Sequence, residues 1–224
     1  MKKAMKVTVP LKKPVKVSAL LEIPAKAKCL LVMAHGAGAG MKHKSMNALA
    51  KALHEEKIAT FRYQFPYMEK KSKRPDTPKV AVATVVAALE AAVRAAPKLP
   101  VFAGGRSFGG RMTTTAASEG ELEVALGIVC FGFPLHPAKK PGKERGEHLE
   151  NVGHPMLFLQ GTRDELSNLK MLAPIAKGNK RITLFWVDAA DHGYGVLKSS
   201  GRTEKEVLTE VAEATAEFME LHAP

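Results

Sequence analysis

In the stretch VFAGGRSFGGRM, residues 101–112, an apolar run ends in a serine framed by glycines. Residues 105–109 fit the pattern G-x-S-x-G, with Ser107 between Gly105 and Gly109. A serine on a sharp strand-to-helix turn needs small neighbours, since the two backbones approach closely there. The same pattern arises by chance in glycine-rich turns, so its meaning depends on the rest of the chain.

The composition is that of an ordinary globular protein. The chain has 224 residues, of which 46% are hydrophobic and 25% charged, and we expect a single α/β domain over residues 1–224. No apolar run approaches the ~18 residues of a membrane span. The opening MKKAMKVTVPLKK has no hydrophobic signal-peptide core. We therefore expect a cytoplasmic protein without a membrane span.

The cysteines bear on disulfide formation, and the net charge bears on possible binding partners. Cys29 and Cys130 lie inside apolar runs, which predicts buried thiols rather than a disulfide. The net charge of +12 raises the alternative of an acidic partner such as nucleic acid. The basic clusters MEKKSKRPDTPK and HPAKKPGKERGEH lack interleaved aromatic residues for base stacking. We therefore expect solvated basic loops and no nucleic-acid partner.

Strand-like runs alternate with helical periods, which is typical of a mostly parallel sheet covered by helices. KVTVPL and VKVSALLEIP predict an antiparallel opening pair, and 137–152 is predicted as a polar loop. Helices are predicted over 44–57, after Asp76 or Thr77, after Ser107 and after Thr203. The six further predicted strands are KCLLVMAHG, IATFRYQF, LPVFAGG, ALGIVCFGFPL, PMLFLQG and RITLFWVDAA.

A serine hydroxyl becomes a useful nucleophile only beside a base that a third group orients. Asp164 follows the strand MLFLQG at the sheet edge where functional residues collect, and Glu165 is the adjacent alternative. His192 follows the last strand in LFWVDAADHGYG. The order Ser107, Asp164, His192 distinguishes one class of serine triad from the others. We therefore predict these three residues as nucleophile, acid and base.

The remaining histidines do not predict a metal site. His136, His148 and His154 lack the spacing at which ligands converge on one ion. We expect no metal and no cofactor. Four histidines are predicted to lie on the surface: His43, His54, His148 and His222.

The loop VMAHGAGAG precedes the first full helix and can supply a backbone donor. We predict the amides of Ala37, after Gly36, and of Phe108 as the pair that stabilises a developing oxyanion. The alternative of nucleotide binding is disfavoured, because G-x-G-x-G is not the dinucleotide fingerprint G-x-G-x-x-G. Met41 also stands where a P-loop needs lysine.

Through AHGAGAG, GGRSFGG, GTRDEL and ADHGY the chain resembles the α/β-hydrolase superfamily, in its small dienelactone-hydrolase-like branch. The resemblance covers roughly residues 28–221. It implies three layers, with an eight-stranded, mostly parallel sheet, helices on both faces and no large lid. It also implies hydrolysis of a small-molecule ester or thioester through an acyl-enzyme. Dienelactone hydrolases carry cysteine where this chain has Ser107, so their substrate is not carried over.

Three further residues are predicted to lie near the site. Arg106 either forms a salt bridge with Asp188 or Asp191, which we expect to shape the histidine loop, or binds an anionic substrate. Tyr63 and Phe65 either wall the pocket or only pack behind it.

Two other functions use the same scaffold. One is an interaction module that binds an acidic partner, and the other is acyl transfer or perhydrolysis by the same triad. The sequence does not predict an oligomeric state.

Overall fold

The computed structural model describes residues 1–167 and 169–224. Its centre is an eight-stranded sheet with the strand order β1-β2-β4-β3-β5-β6-β7-β8. The strands are β1 (Lys2–Val9), β2 (Val15–Glu22), β3 (Cys29–Ala34), β4 (Ile58–Tyr63), β5 (Val101–Arg106), β6 (Ile128–Phe131), β7 (Met156–Gly161) and β8 (Ile182–Val187).

The sheet is mostly parallel, as predicted. β1 pairs with β2 and β2 with β4 in antiparallel fashion, whereas all pairs from β4 through β3 to β8 are parallel. The central strands β3 to β7 are buried along almost their whole length, which explains their continuous apolar runs. Their carboxyl ends meet at one edge, where the loops of an open α/β sheet form its crevice.

Helices cover both faces of the sheet and complete three layers. The helices are α1 (Lys44–Glu55), α2 (Pro66–Glu69), α3 (Pro78–Ala95), α4 (Phe108–Ser118), α5 (Leu169–Gly178) and α6 (Glu204–His222), with 3₁₀ helices at Glu144–Asn151 and Lys198–Ser200. Apolar residues of α3, α4 and α5 share one core, and those of α1 and α6 share the core on the opposite face. Thr203 and Glu206 form the predicted capping box of α6.

Several elements differ from the sequence prediction, and the short helix α2 and the 3₁₀ helix Lys198–Ser200 are among those that were not predicted. The segment 137–152, predicted as a loop, contains the 3₁₀ helix Glu144–Asn151, which buries Leu149. Helix α5 was not predicted, and it carries Pro174 in its interior, a residue that usually ends a helix.

The two cysteines and the helices can be compared with what the sequence predicts. Cys29 and Cys130 are free and buried, as predicted. Within the described ranges, no helix combines the length and the apolar character needed to cross a membrane.

Candidate active site

Ser107 lies on the sharp turn that joins β5 to α4. Its backbone has φ 50° and ψ −114°, a region that residues with a side chain rarely occupy. The Ser107 amide donates to the Phe131 carbonyl at 3.1 Å, which fixes the turn to the neighbouring strand β6. The turn therefore holds the serine at the carboxyl edge of the sheet.

Glycines allow this turn to pack against β3. A Cβ at Gly105 would lie 2.6 Å from the carbonyl oxygen of Ala34, and one at Gly109 would lie 2.6 Å from the same oxygen. Real Cβ atoms do not approach other atoms so closely. Strand, turn and helix can meet here only because both positions lack a side chain.

The three residues predicted as a triad are in hydrogen-bond contact. His192 Nε2 lies 2.8 Å from Ser107 Oγ, and His192 Nδ1 lies 2.7 Å from Asp164 Oδ2. In a neutral imidazole, Nδ1–H donates to the carboxylate and Nε2 accepts from the serine hydroxyl. The Asp164 side chain is fully buried, whereas the His192 side chain is 26% exposed. The ends of β5, β7 and β8 thus bring Ser107, Asp164 and His192 together.

Asp164 is oriented by a residue that the sequence analysis missed. The Gln160 side-chain amide donates to Asp164 Oδ2, and Gln160 Oε1 accepts from the Phe133 amide at 2.9 Å. The Leu166 amide donates to the other carboxylate oxygen, Oδ1, at 2.7 Å. The available signal was a single polar residue inside the buried strand MLFLQG, since a buried amide side chain requires partners.

The loop that carries His192 is held by Asp191. Asp191 Oδ1 accepts from the amides of Gly193 and Gly195 at 2.7 and 2.8 Å. The Tyr194 hydroxyl donates to the Leu159 carbonyl at 2.9 Å and attaches the loop to β7. Asp191 therefore shapes the histidine loop.

Arg106 does not form the salt bridge that we expected. Its guanidinium donates to the His192 carbonyl at 3.4 Å and lies 5.5 Å from the centre of the Tyr194 ring. Asp191 is occupied by the loop amides, and Asp188 forms no ion pair with Arg106. The predicted contact with the histidine loop exists, but it runs through a carbonyl and a ring rather than a carboxylate.

His35 fixes the loop that contains the predicted oxyanion donor Ala37. His35 Nε2 accepts from the Phe65 amide at 3.1 Å, so Nδ1–H donates to the Gly36 carbonyl at 2.8 Å. Burial lowers the pKa of His35 to about 4, which keeps the ring neutral. The sequence analysis assigned no role to this histidine.

The His35 contact also sets the direction of the next amide. In a planar trans peptide the N–H of Ala37 points away from the carbonyl of Gly36. A Cβ at Gly36 would lie 3.7 Å from the Ser107 Cβ, so the loop runs directly beside the serine. The Ala37 amide is therefore held in a fixed direction next to Ser107.

Aromatic rings pack behind the amide of Phe108. The Phe108 ring lies edge-on to Phe65, with centroids 5.3 Å apart, and to Tyr67 at 6.5 Å. Tyr63 lies 5.6 Å from Phe65, and both are fully buried. Of the two roles considered for Tyr63 and Phe65, their burial favours packing.

Three of the four histidines predicted on the surface are half-buried: His54, His148 and His222. His148 bonds to Thr114 at 2.8 Å. His136, for which no exposure is predicted from the sequence, is buried beside Pro137. In the described parts of the chain, no three histidine, cysteine or carboxylate side chains converge as metal ligands would.

Comparisons with known proteins agree with this architecture. A family model described as "Alpha/beta hydrolase domain" matches residues 27–220. A dienelactone hydrolase from Anabaena variabilis superposes with a TM-score of 0.79 at 21% identity, covering 100% of this chain and 99% of that one.

Two further solved structures share the fold. A lid-less serine hydrolase from Xanthomonas campestris has a TM-score of 0.73 at 17% identity, covering 100% of this chain and 95% of its own. An esterase from Pyrococcus furiosus has a TM-score of 0.76 at 16% identity, and the superposition covers 100% of this chain and 94% of the esterase. Because the family match spans strands β3 to β8 and their helices, the chain belongs to the α/β-hydrolase domain family.

Proposed function

We propose that the protein is a serine hydrolase that cleaves a small carboxylic ester or thioester through an acyl-enzyme on Ser107. The observation that carries the proposal is the continuous series of hydrogen bonds from Asp164 through His192 to Ser107. The similar structures named a dienelactone hydrolase, a serine hydrolase and an esterase support the same class of reaction.

The reaction begins with transfer of the Ser107 proton to His192 Nε2 as Oγ attacks the ester carbonyl. The C–O bond to the leaving alcohol then breaks, and the proton on His192 passes to that oxygen. A water molecule then gives a proton to His192 and attacks the acyl carbon. The bond between that carbon and Ser107 Oγ breaks, the acid leaves, and the proton on His192 returns to Ser107 Oγ. Asp164 holds the imidazole tautomer and stabilises the imidazolium formed in each step.

The proposed oxyanion donors are the amides of Phe108 and Ala37. Phe108 is the first residue of α4, so its N–H has no partner within the helix and lies at the positive end of the helix dipole. The Ala37 amide is fixed in direction by His35 through the Gly36 carbonyl. Preorganised donors of this kind typically contribute about 3 kcal/mol each to transition-state stabilisation.

A serine-directed probe tests the proposal. The folded parent is expected to react with a fluorophosphonate and to hydrolyse 4-nitrophenyl acetate, whereas Ser107→Ala should not be labelled. Its kcat is expected to fall by about 10⁴-fold or more, because the nucleophile and its base act as a unit.

Ser118→Ala is the matched control, since Ser118 lies on the same helix and its hydroxyl donates to the Thr115 carbonyl. It should retain labelling and hydrolysis. A folded parent that neither reacts with the probe nor hydrolyses the ester would instead favour an interaction module. Hydrolysis that persists in Ser107→Ala would exclude Ser107 as the nucleophile.

A further inference from the structure

Arg111 lies one helical turn after Ser107 at the start of α4. Its amide donates to the Ser107 carbonyl at 3.0 Å, and its guanidinium lies 5.9 Å from the centre of the Phe108 ring. Helical side chains lean toward the N-terminus of their helix, so Arg111 leans toward the turn that carries the serine. A permanent cation thereby lies against the Phe108 ring, on the first turn of the helix that begins after the proposed nucleophile.

Arg145, from the 3₁₀ helix Glu144–Asn151, adds a second cation at this place. Both arginines are half-buried. Burial and then the charge of Arg145 lower the pKa of Arg111, so the two guanidinium groups are close enough to repel. The 3₁₀ helix is attached to α4 by the contact of 2.8 Å between His148 Nε2 and Thr114 Oγ1.

Neither arginine has an acidic partner in the described parts of the chain. No carboxylate lies within ion-pair distance of either one. The Nε atom of Arg111 is buried and has no hydrogen-bond acceptor. His148 does not compensate the charge, since it is a neutral ring whose pKa burial and then Arg111 lower to about 4.

Two adjacent, partly desolvated cations without a counter-charge are unfavourable in a folded protein. An anion between them would remove the repulsion and satisfy the orphaned Nε–H. The planar guanidinium fork matches a carboxylate in bidentate geometry, unlike the point charge of a lysine. The arrangement therefore fits a ligand that carries a carboxylate.

We propose that Arg111 and Arg145 form a carboxylate-binding subsite, which selects esters with a free carboxylate on the acyl or the alcohol part. The inference rests on the proposed serine-hydrolase function. The Phe108 ring lies next to the Arg111 guanidinium, between it and the buried rings of Phe65 and Tyr67.

Two matched substrate pairs test the subsite. The first is the 4-nitrophenyl monoester of adipic acid against its methyl ester, and the second is 4-acetoxybenzoate against methyl 4-acetoxybenzoate. The parent is expected to prefer the charged member of one pair in kcat/KM, and the preferred pair identifies the side that carries the carboxylate. Equal rates in both pairs would overturn the subsite.

Variants connect the preference to the two arginines. Arg111→Gln and Arg145→Gln are each expected to reduce the charged-to-neutral ratio of kcat/KM by about tenfold to a hundredfold, the value of a charge-assisted hydrogen bond. Arg111→Lys keeps the positive charge but lacks the planar guanidinium, so this variant should lose part of the charged-to-neutral preference. Arg94→Gln removes an equal charge from an exposed position on α3 and should leave the ratio unchanged.

A binding measurement separates this inference from the proposed function. Monomethyl adipate is titrated by calorimetry into the parent and into Arg111→Gln, with folding checked by circular dichroism. Binding that is lost in the variant supports the subsite even when no ester is cleaved. Equal binding by both proteins, or a ratio of kcat/KM unaffected in both glutamine variants, would refute it whether or not Ser107 is a nucleophile.

Discussion

Gln160 illustrates how one buried side chain controls the geometry of the candidate site. Its amide nitrogen donates to Asp164 and its oxygen accepts from the Phe133 amide, so both polar atoms of this buried side chain have a hydrogen-bond partner. Because Asp164 also receives the Leu166 amide, its carboxylate cannot turn away from His192 without losing hydrogen bonds. Gln160 therefore helps to set the direction of the His192 imidazole through its contact with Asp164.

Replacing Gln160 with leucine is expected to lower kcat for an aryl ester about tenfold with little change in KM. The variant leaves the Phe133 amide unpaired and gives Asp164 more freedom, which should also reduce the free energy of unfolding by about 1–3 kcal/mol. Steady-state kinetics and urea denaturation measure the two effects. Gln160→Glu keeps the acceptor for Phe133 but places a second carboxylate beside Asp164, and it should impair kcat further. Unchanged kcat in both variants would contradict the orienting role.

At the scale of elements, the connection from β5 to α4 depends on close backbone contact with β3. The Ala34 carbonyl occupies the space that a side chain at Gly105 or Gly109 would need. Backbone atoms of a central strand cannot move aside as the end of a flexible side chain could. The helix start, the serine and the proposed oxyanion amide therefore share one rigid contact.

Gly109→Ala is expected to destabilise the fold by about 1–3 kcal/mol or more, the cost of overpacking a close contact. Thermal unfolding and chemical denaturation provide the measurement. Gly153→Ala is the control, because a Cβ there would meet no atom within 4 Å and the residue has no positive φ. A Gly109→Ala protein as stable as Gly153→Ala would show that the contact is looser than described.

For the whole molecule, every strand from β1 to β8 joins one sheet, which supports the proposed single domain over residues 1–224. The chain carries a net charge of +12. Two histidines inside this basic protein, His35 and His148, have pKa values lowered to about 4 by burial. Both are neutral in the folded chain under conditions where an unfolded chain would protonate them.

Stability is therefore expected to decrease as the pH falls from 6.5 to about 4. In this window the unfolded state binds protons that the folded state does not, so acid favours unfolding. His35 alone corresponds to at most about 3 kcal/mol at the acid end. Urea denaturation at several pH values measures the slope. His35→Gln should flatten this slope, whatever the stability of the variant at neutral pH. The control His43→Asn, at an exposed helix cap, should leave the slope unchanged. An unchanged slope in His35→Gln would contradict the assignment.

The sequence predicted the eight strands and their mostly parallel order because apolar runs and turn glycines report local structure directly. It also predicted Ser107, Asp164 and His192 as a set, since each follows a strand that ends at the same edge. The roles of His35 and Gln160 could not be predicted, because their partners come from other strands or loops. The predicted partner of Arg106 is wrong for a related reason. Asp191 accepts a hydrogen bond from an amide of its own loop, and the pattern of charges in the sequence does not reveal such a bond.

The strained turn at Ser107 has a consequence for how the protein can change. A backbone with φ 50° and ψ −114° suits glycine better than serine, so the fold would gain stability by losing its proposed nucleophile. Stability and activity are thus opposed at this single position. A lineage selected for robustness alone would drift toward an inert scaffold, and a thermostable variant of this chain has to obtain its extra stability elsewhere.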